Sequence, residues 1–429
     1  MNVKTTRTLG KLITLSLITS TMIHATNGDN LIAVGAKARG MGGTGIAVSH
    51  GAESALSNAA MITSVEGTEI GFGGTIFMPD IKTTLNASDF GMMGLPPQAS
   101  HTSDADMNMI PSVSIAHKID DNWYIGIGMW GTAGMGTDYS KAPQILTQGQ
   151  LGNMNMVTNL QLMQFGVPIA YKTGGLSLAV TPVLQYGNLD INYHMPVFDP
   201  TGASAPYAMN IGAGLAQDFG WGWNLGISYD FAANGVEGLT LGAIYKSSIE
   251  MDYDGQLTTA MMPFLMPGEP LTSLLPAGDT LEQPSEYGVG ISYEMQGHTF
   301  AFDYRKIKWS DAKGYGDFGW DDSDVYAFGY AYTEAEWTVR LGYNYASSAV
   351  VEVMDPRLNF FNLLGMPATS EKHYTVGASY DVTKQFAVDL AYVYSPKNTE
   401  TFALGMMALD SITTDHTENG VSFQLSYKF

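Results

Sequence analysis

The sequence predicts an all-β fold, a 14-stranded antiparallel transmembrane β-barrel, and three observations carry that prediction. Apolar and polar residues alternate with period two in about fourteen separate segments, an even number as single-chain bacterial barrels require. Short and long connections take turns along the chain. Aromatic residues collect where strands meet the short connections. Bulk composition agrees: charged residues are 14% of the 429, well under the roughly 25% of soluble domains, and aromatics reach 11%.

The chain opens with Lys4, Arg7 and Lys11, an apolar run from Leu12 to Ile23, and a candidate cleavage site at Ile23-His24-Ala25. This is the pattern of a secretory signal peptide over residues 1–25, too short for a spanning helix of about 20 apolar residues. The mature chain is therefore expected to be exported: periplasmic, secreted or an outer-membrane barrel.

Residues 26–67 precede the first strand and are rich in Gly, Ala and Ser. Within them Arg39 to Gly45 reads RGMGGTG and fits the dinucleotide fingerprint G-x-G-x-x-G. That fingerprint needs a strand before it, a helix after it, and an acidic residue about 20 residues on. No apolar strand precedes Gly40, and no acidic residue follows a second strand at the required place. The glycines suit a compact segment that turns sharply.

The barrel is assigned to residues 68–429, with strands beginning near Glu69, Met109, Trp123, Asn159, Leu176, Trp221, Leu239, Glu282, His298, Asp321, Trp337, Lys372, Phe386 and Glu418. The last is the clearest: Val421, Phe423, Leu425, Tyr427 and Phe429 alternate with Ser422, Gln424, Ser426 and Lys428. Short turns fall at Asp120-Asp121-Asn122, Thr173-Gly174, Gln296-Gly297, Glu334-Ala335-Glu336 and Thr383-Lys384. The other connections run to roughly 20 to 30 residues except near Gly314, the turn-and-loop asymmetry of a membrane barrel. Trp123, Phe300, Trp337 and Phe386 start strands after short turns, and Tyr171, Tyr293, Tyr332 and Tyr380 end strands before them, as an interfacial girdle does. Asp230, Lys246, Asp303, Arg340 and Asp389 lie on the polar face, which must be the lumen because a lipid-facing charge at midplane costs about 2–4 kcal/mol.

Several stretches carry a family resemblance. Gly35-Ala-Lys-Ala-Arg-Gly-Met-Gly-Gly43 followed by Ser57-Asn58-Ala59-Ala60-Met61-Ile62-Thr63 resembles the N-terminal hatch of FadL-type outer-membrane transporters of long-chain fatty acids and hydrocarbons. Gly220 to Asp230 and Tyr245 to Gly255 look like two strands of that family, Gly134 to Tyr139 like the end of its third strand, and Leu281 to Ser285 like the approach to its eighth. The resemblance implies a small, partly helical plug inside a fourteen-stranded barrel. Its hatch motif is Asn-Pro-Ala, where this chain has Asn58-Ala59-Ala60 and lacks the proline that would fix φ. It further implies an apolar extracellular groove, a lumen pocket closed by the hatch, and a lateral exit at a kinked third strand, with both termini periplasmic. A last strand ending at Phe429 would be read by the barrel assembly machinery.

On that footing the hatch and gating candidates are Gly40, Gly42, Gly43, Asn58, Ala59 and Ala60. Gly131 and Gly134 are the kink candidates, since glycine inside a strand marks bulges. The groove candidates are Met261, Met262, Phe264, Leu265, Met266, Leu271, Leu274 and Leu275 on one loop, with Met195, Val197 and Phe198 on the loop before it. Exposed apolar loops mark binding sites, and methionine suits varied ligands. A loop folded over to cap its own barrel is the alternative.

Other chemistries find little support. A net charge of −21 offers no basic stripe for nucleic acid, and the absence of cysteine removes disulfides, thiolate metal sites and Cys nucleophiles. The eight histidines are scattered and none joins a nucleophile, so the chain is not expected to be an enzyme. No metal or cofactor is expected. Asp104-Ala-Asp106 and Asp321-Asp322-Ser-Asp324 are read as solvated charge near lipopolysaccharide. The expected function is uptake of hydrophobic compounds by a monomer in outer-membrane lipid. An adhesin or surface antigen, or a general porin, is the alternative.

Overall fold

The computed structural model describes residues 27–88, 98–143, 153–197, 207–406 and 409–429. The signal-peptide assignment over 1–25 and the groove candidate Phe198 lie outside the described residues.

Fourteen antiparallel spans close into one barrel. They are β1 (Thr68–Asn86), β2 (Gln98–Thr102 and Asn108–Lys118), β3 (Trp123–Met135), β4 (Val157–Gly166 and Ile169–Thr173), β5 (Leu176–Val197), β6 (Tyr207–Gly212 and Ala216–Asp230) and β7 (Leu239–Lys246). The circuit continues through β8 (Glu286–Met295), β9 (His298–Ile307), β10 (Ser323–Glu334), β11 (Trp337–Ala346), β12 (Lys372–Asp381), β13 (Phe386–Met406) and β14 (Leu409–Lys428). Closure comes from β1 on β14, paired from Glu69–Lys428 to Asn86–Ser411. The break in β4 falls at Val167-Pro168, where proline has no N–H to give a ladder.

The protein is apolar outside and polar inside. On β14, Val421, Phe423, Leu425 and Tyr427 are exposed, whereas Ser422, Gln424 and Ser426 are buried in the lumen. Asp303, Arg340 and Asp389 are likewise buried inside, as their face predicted. Asp230 sits exposed at the strand end, where its Oδ1 accepts from the Ala232 N–H. The short-turn rim carries paired rings, Trp123 on Tyr171 at 4.9 Å and Trp337 on Tyr380 at 4.3 Å. An outer-wall depression of about 590 Å³ among Phe300, Phe328, Tyr330 and Leu341 belongs to this lipid-facing belt.

The opposite end departs from the expected uniform long loops. β13 runs to Met406 and β14 begins at Leu409, so the stretch expected as loop before Glu418 is paired strand, flanked by β1 as far as Ser411. Its faces pair Thr401 with Thr413 and Glu400 with Thr414, polar on polar, which hides the alternation. The connection between β7 and β8 is long and holds the helix α2 (Gln256–Met261). The one between β11 and β12 holds α3 (Pro356–Gly365). In α3, Asp355 caps the helix by accepting the Arg357 N–H at 2.9 Å, and Pro356 occupies the first turn.

Candidate functional site

Residues 27–67 pack against lumen-facing side chains of the wall as α1 (Ala36–Gly40) and two 3₁₀ turns, Gly51–Leu56 and Ala59–Ser64. Wall side chains hold this hatch around the circuit. The Asp303 carboxylate on β9 accepts the N–H groups of Gly45 and Ile46 at 2.8 and 3.0 Å. Thr375 on β12 accepts from Gly42 N–H and donates to Gly40 carbonyl, Asn344 on β11 donates to Gly42 carbonyl, and Ser292 on β8 donates to Ala47 carbonyl. On the other side Thr63 meets Ser177 of β5 at 2.8 Å.

The hatch glycines are needed for close approach. A Cβ at Gly42 (φ 69°) would meet backbone atoms of Phe328 and Tyr343 at 2.7–2.8 Å, and one at Gly40 would meet the Gly377 Cα at 3.0 Å. Gly43 (φ 88°) passes the Ile32 carbonyl. Glycine here lets backbone lie on backbone. Asn58 ties the turn by hydrogen bonds: its Oδ1 accepts from the Ala60 N–H, and its Nδ2 donates to Ile46 carbonyl and across to Ile227 carbonyl on β6. Ala59 and Ala60 are buried behind it. His50 bonds the Thr44 carbonyl at 2.8 Å, and burial pushes its pKa down to about 3, leaving it neutral. The Glu53 carboxylate accepts the Lys37 and Ala38 N–H groups at the start of α1, and burial pushes its pKa up to about 7.

The wall has a gap between β2 and β3. Their ladder runs from Lys118–Tyr124 to Ser112–Trp130 and stops one residue short of Pro111. β2 continues beyond that point paired to β1 alone, from Pro111 to Asn108. β3 turns to the hatch instead: Ala133 bridges Asn30, Leu31 N–H reaches Thr132 carbonyl at 3.3 Å, and Gly134 N–H reaches Asp29 carbonyl at 3.1 Å. A register shift between Gly131 and Ala133 against β4 marks the bulge that re-aims the strand. Both kink candidates are in this region: Gly131 has Ile110 against it, and Gly134 donates to the hatch. Leu31, Phe77 and Ile110 form a small apolar cluster there.

Above the hatch lies a large apolar cap. Tyr139 and Met156 near β3, Tyr193 of β5, Leu257 and Met261 of α2, Trp309, Tyr315 and Trp320 between β9 and β10, and Phe360 and Phe361 of α3 are buried together. At its floor the Asp29 carboxylate is fully buried and accepts from the Tyr315 hydroxyl, and burial pushes its pKa up to about 7.

The predicted groove residues divide. Met261, Leu274 and Leu275 are buried in the cap, and Leu265 and Leu271 pack half-buried against it, so most of that loop caps the barrel. Met262 and Met266 are exposed. A groove of about 520 Å³ does open above, lined by Met195, Pro263, Phe264, Met266, Met354, Asp355, Pro356, Arg357 and Met406. Val197 ends β5 half-buried nearby in sequence but does not line it. Sequence reasoning missed Met354, Arg357 and Met406. The Asp-Pro start and Gly365 end of α3 were readable helix signals that would have drawn attention to Arg357. Of the acidic clusters, Asp104 pairs with Lys141, Asp322 with Lys308 and Asp324 with Lys306.

The profile of the family described as "Outer membrane protein transport protein (OMPP1/FadL/TodX)" matches residues 17–429. A "47 kDa outer membrane protein" of Pasteurella multocida (strain Pm70) is 22% identical over 387 residues, covering 83% of this chain and 84% of its own. A "Long-chain fatty acid transport protein" of Escherichia coli O6:H1 (strain CFT073) is 22% identical over 388 residues, 81% of this chain and 82% of its own. Among solved structures, the Pseudomonas putida toluene transporter TodX superposes with TM-score 0.67 at 19% identity, over 94% of this chain and 100% of that one. A Pseudomonas aeruginosa FadL homologue gives 0.66 at 16% identity, over 96% and 100%.

Proposed function

The chain belongs to this family of outer-membrane transport proteins for hydrophobic compounds, and we propose that it takes up such compounds passively by a path leaving sideways through the barrel wall. Cargo such as a long-chain fatty acid, an alkane or an aromatic hydrocarbon settles in the methionine-lined groove, which faces outward in this reading, with short turns and both termini periplasmic. It then passes into the apolar cap, where methionine and aromatic side chains repack around it without losing hydrogen bonds. Residues 29–31 leave β3, uncovering the gap between β2 and β3, and the cargo moves into the surrounding lipid.

The observation that carries this reading is the pairing at the gap. Strand edges in a membrane wall must be satisfied, because an unpaired backbone group in hydrocarbon costs several kcal/mol. The upper half of β3 has given up β2 and taken the hatch as its partner. A static wall has no use for a detachable partner, whereas a gate does. The hatch across the lumen also disfavours a general porin, since water-filled passage would need it removed. Expression of the full chain in a host lacking its own such transporter tests the reading. Radiolabelled toluene, hexadecane and oleate are supplied, and accumulation of at least one above the vector control is expected. Accumulation of none, with the barrel heat-modifiable in gels, would refute it.

A further inference from the structure

We propose, resting on that uptake reading, that the groove admits uncharged hydrophobic molecules and turns away carboxylates of the same carbon skeleton. The groove is lined by four methionines together with Pro263, Phe264 and Pro356, and its charged groups are Arg357 and Asp355. The Arg357 guanidinium is fully engaged. Its Nε and Nη2 bind the Asp355 carboxylate at 2.9 and 2.6 Å, and its Nη1 and Nη2 bind Glu269 at 2.6 and 3.1 Å. Nη1 also donates to the Phe264 carbonyl. Two carboxylates on one guanidinium leave a net negative charge beside the groove. Hydrogen bonds from Arg357 push the Glu269 pKa down to about 2, so this charge persists at any ordinary pH.

The cap beneath repeats the message. Its buried cluster is built of aliphatic, methionine and aromatic side chains, and the ionisable group at its floor, Asp29, is a carboxyl. Around it Lys308 is held by Asp311 and Asp322, Lys313 by Glu250, Lys141 by Asp104 and Lys397 by Asp415. Deeper, Lys246 and Arg305 share Glu286, while Arg39 lies buried within the hatch helix α1 itself, its Nη1 donating to the Ala33 carbonyl. A carboxylate entering the cap would shed water among apolar side chains, which outweighs what its methylenes gain from burial. An uncharged molecule of equal carbon content keeps the gain and avoids the loss.

The test uses one carbon skeleton in two charge states. Cells expressing the full chain receive labelled dodecanol or labelled dodecanoate at pH 7.5, against a vector control. Dodecanol accumulation at least about tenfold above dodecanoate is expected. Freeing the guanidinium with Asp355→Asn and Glu269→Gln together should raise dodecanoate accumulation severalfold while dodecanol changes little. Faster uptake of dodecanoate by the unaltered chain, or no gain in the double variant with its barrel assembled, would overturn the selectivity while leaving uptake itself standing. Accumulation of neither would sink the uptake reading and the selectivity with it.

Discussion

Replacing Asp303 with alanine should unseat the hatch without disturbing the barrel. Its carboxylate accepts two hatch N–H groups, at 2.8 and 3.0 Å, from a fully buried position on β9. Hydrogen bonds to a charged group contribute about 1.5–3 kcal/mol each, so the pair amounts to about 3–6 kcal/mol. Relief of the carboxylate's burial offsets part of that, leaving about 3 kcal/mol of lost seating. At about 1.4 kcal/mol per tenfold, the unseated population rises on the order of a hundredfold. β9 keeps its backbone ladders to β8 and β10, so assembly is spared. Planar-bilayer conductance reads the effect: Asp303→Ala should show frequent openings to small ions where the unaltered protein is nearly silent, and Asp303→Asn should lie between. An assembled, heat-modifiable Asp303→Ala barrel as tight as the parent would refute the claim that this carboxylate anchors the plug.

The other expectations concern the same plug. Ala59→Pro should be tolerated and add about 0.4–1 kcal/mol, because Asn58 is extended (φ −106°, ψ 102°) as a residue before proline prefers, and position 59 opens a 3₁₀ turn. A lower gel-shift temperature would count against it. Asp29 and Glu53 have pKa values raised by burial to about 7, so each must ionise inside the folded protein as pH climbs. The native state holds their protons more tightly than the unfolded one, and hatch seating is firmest near pH 4 and weakens towards pH 8. Conductance should rise over that window, and Asp29→Asn with Glu53→Gln should flatten it. A parent protein with flat conductance would contradict the assignment.

Legibility tracked how local the governing physics is. Lipid on one side and lumen on the other imposed period two on segments such as Val421 to Phe429, and those strands were readable residue by residue. Towards its start the same strand puts Ser411, Thr413 and Asp415 out and Ile412, Thr414 and His416 in, so only Ile412 breaks a polar run and the alternation that marks a strand is hidden. Apolarity in the long β7–β8 connection was legible, but burial was not: Leu274 and Leu275 are covered by packing that distant segments supply. The glycines of the bulge stood out, whereas their partner did not, since Asn30 and Ala133 meet across about a hundred residues of chain. Asp303 looked like one lumen charge among several until the hatch backbone was found pointing at it.

The central claim is that cargo leaves only when residues 29–31 come away from β3. Asn30 and Ala133 face each other as a non-hydrogen-bonded antiparallel pair, flanked by the Leu31–Thr132 and Asp29–Gly134 bonds. Such pairs have Cα atoms about 4.5 Å apart, within disulfide reach. The chain has no cysteine of its own, so Asn30→Cys with Ala133→Cys makes a single defined lock. Uptake of labelled dodecanol is then measured before and after reduction. The account predicts uptake at the vector level when the lock is oxidised and recovery on reduction. Equal uptake in both states would mean that the cargo leaves by another route.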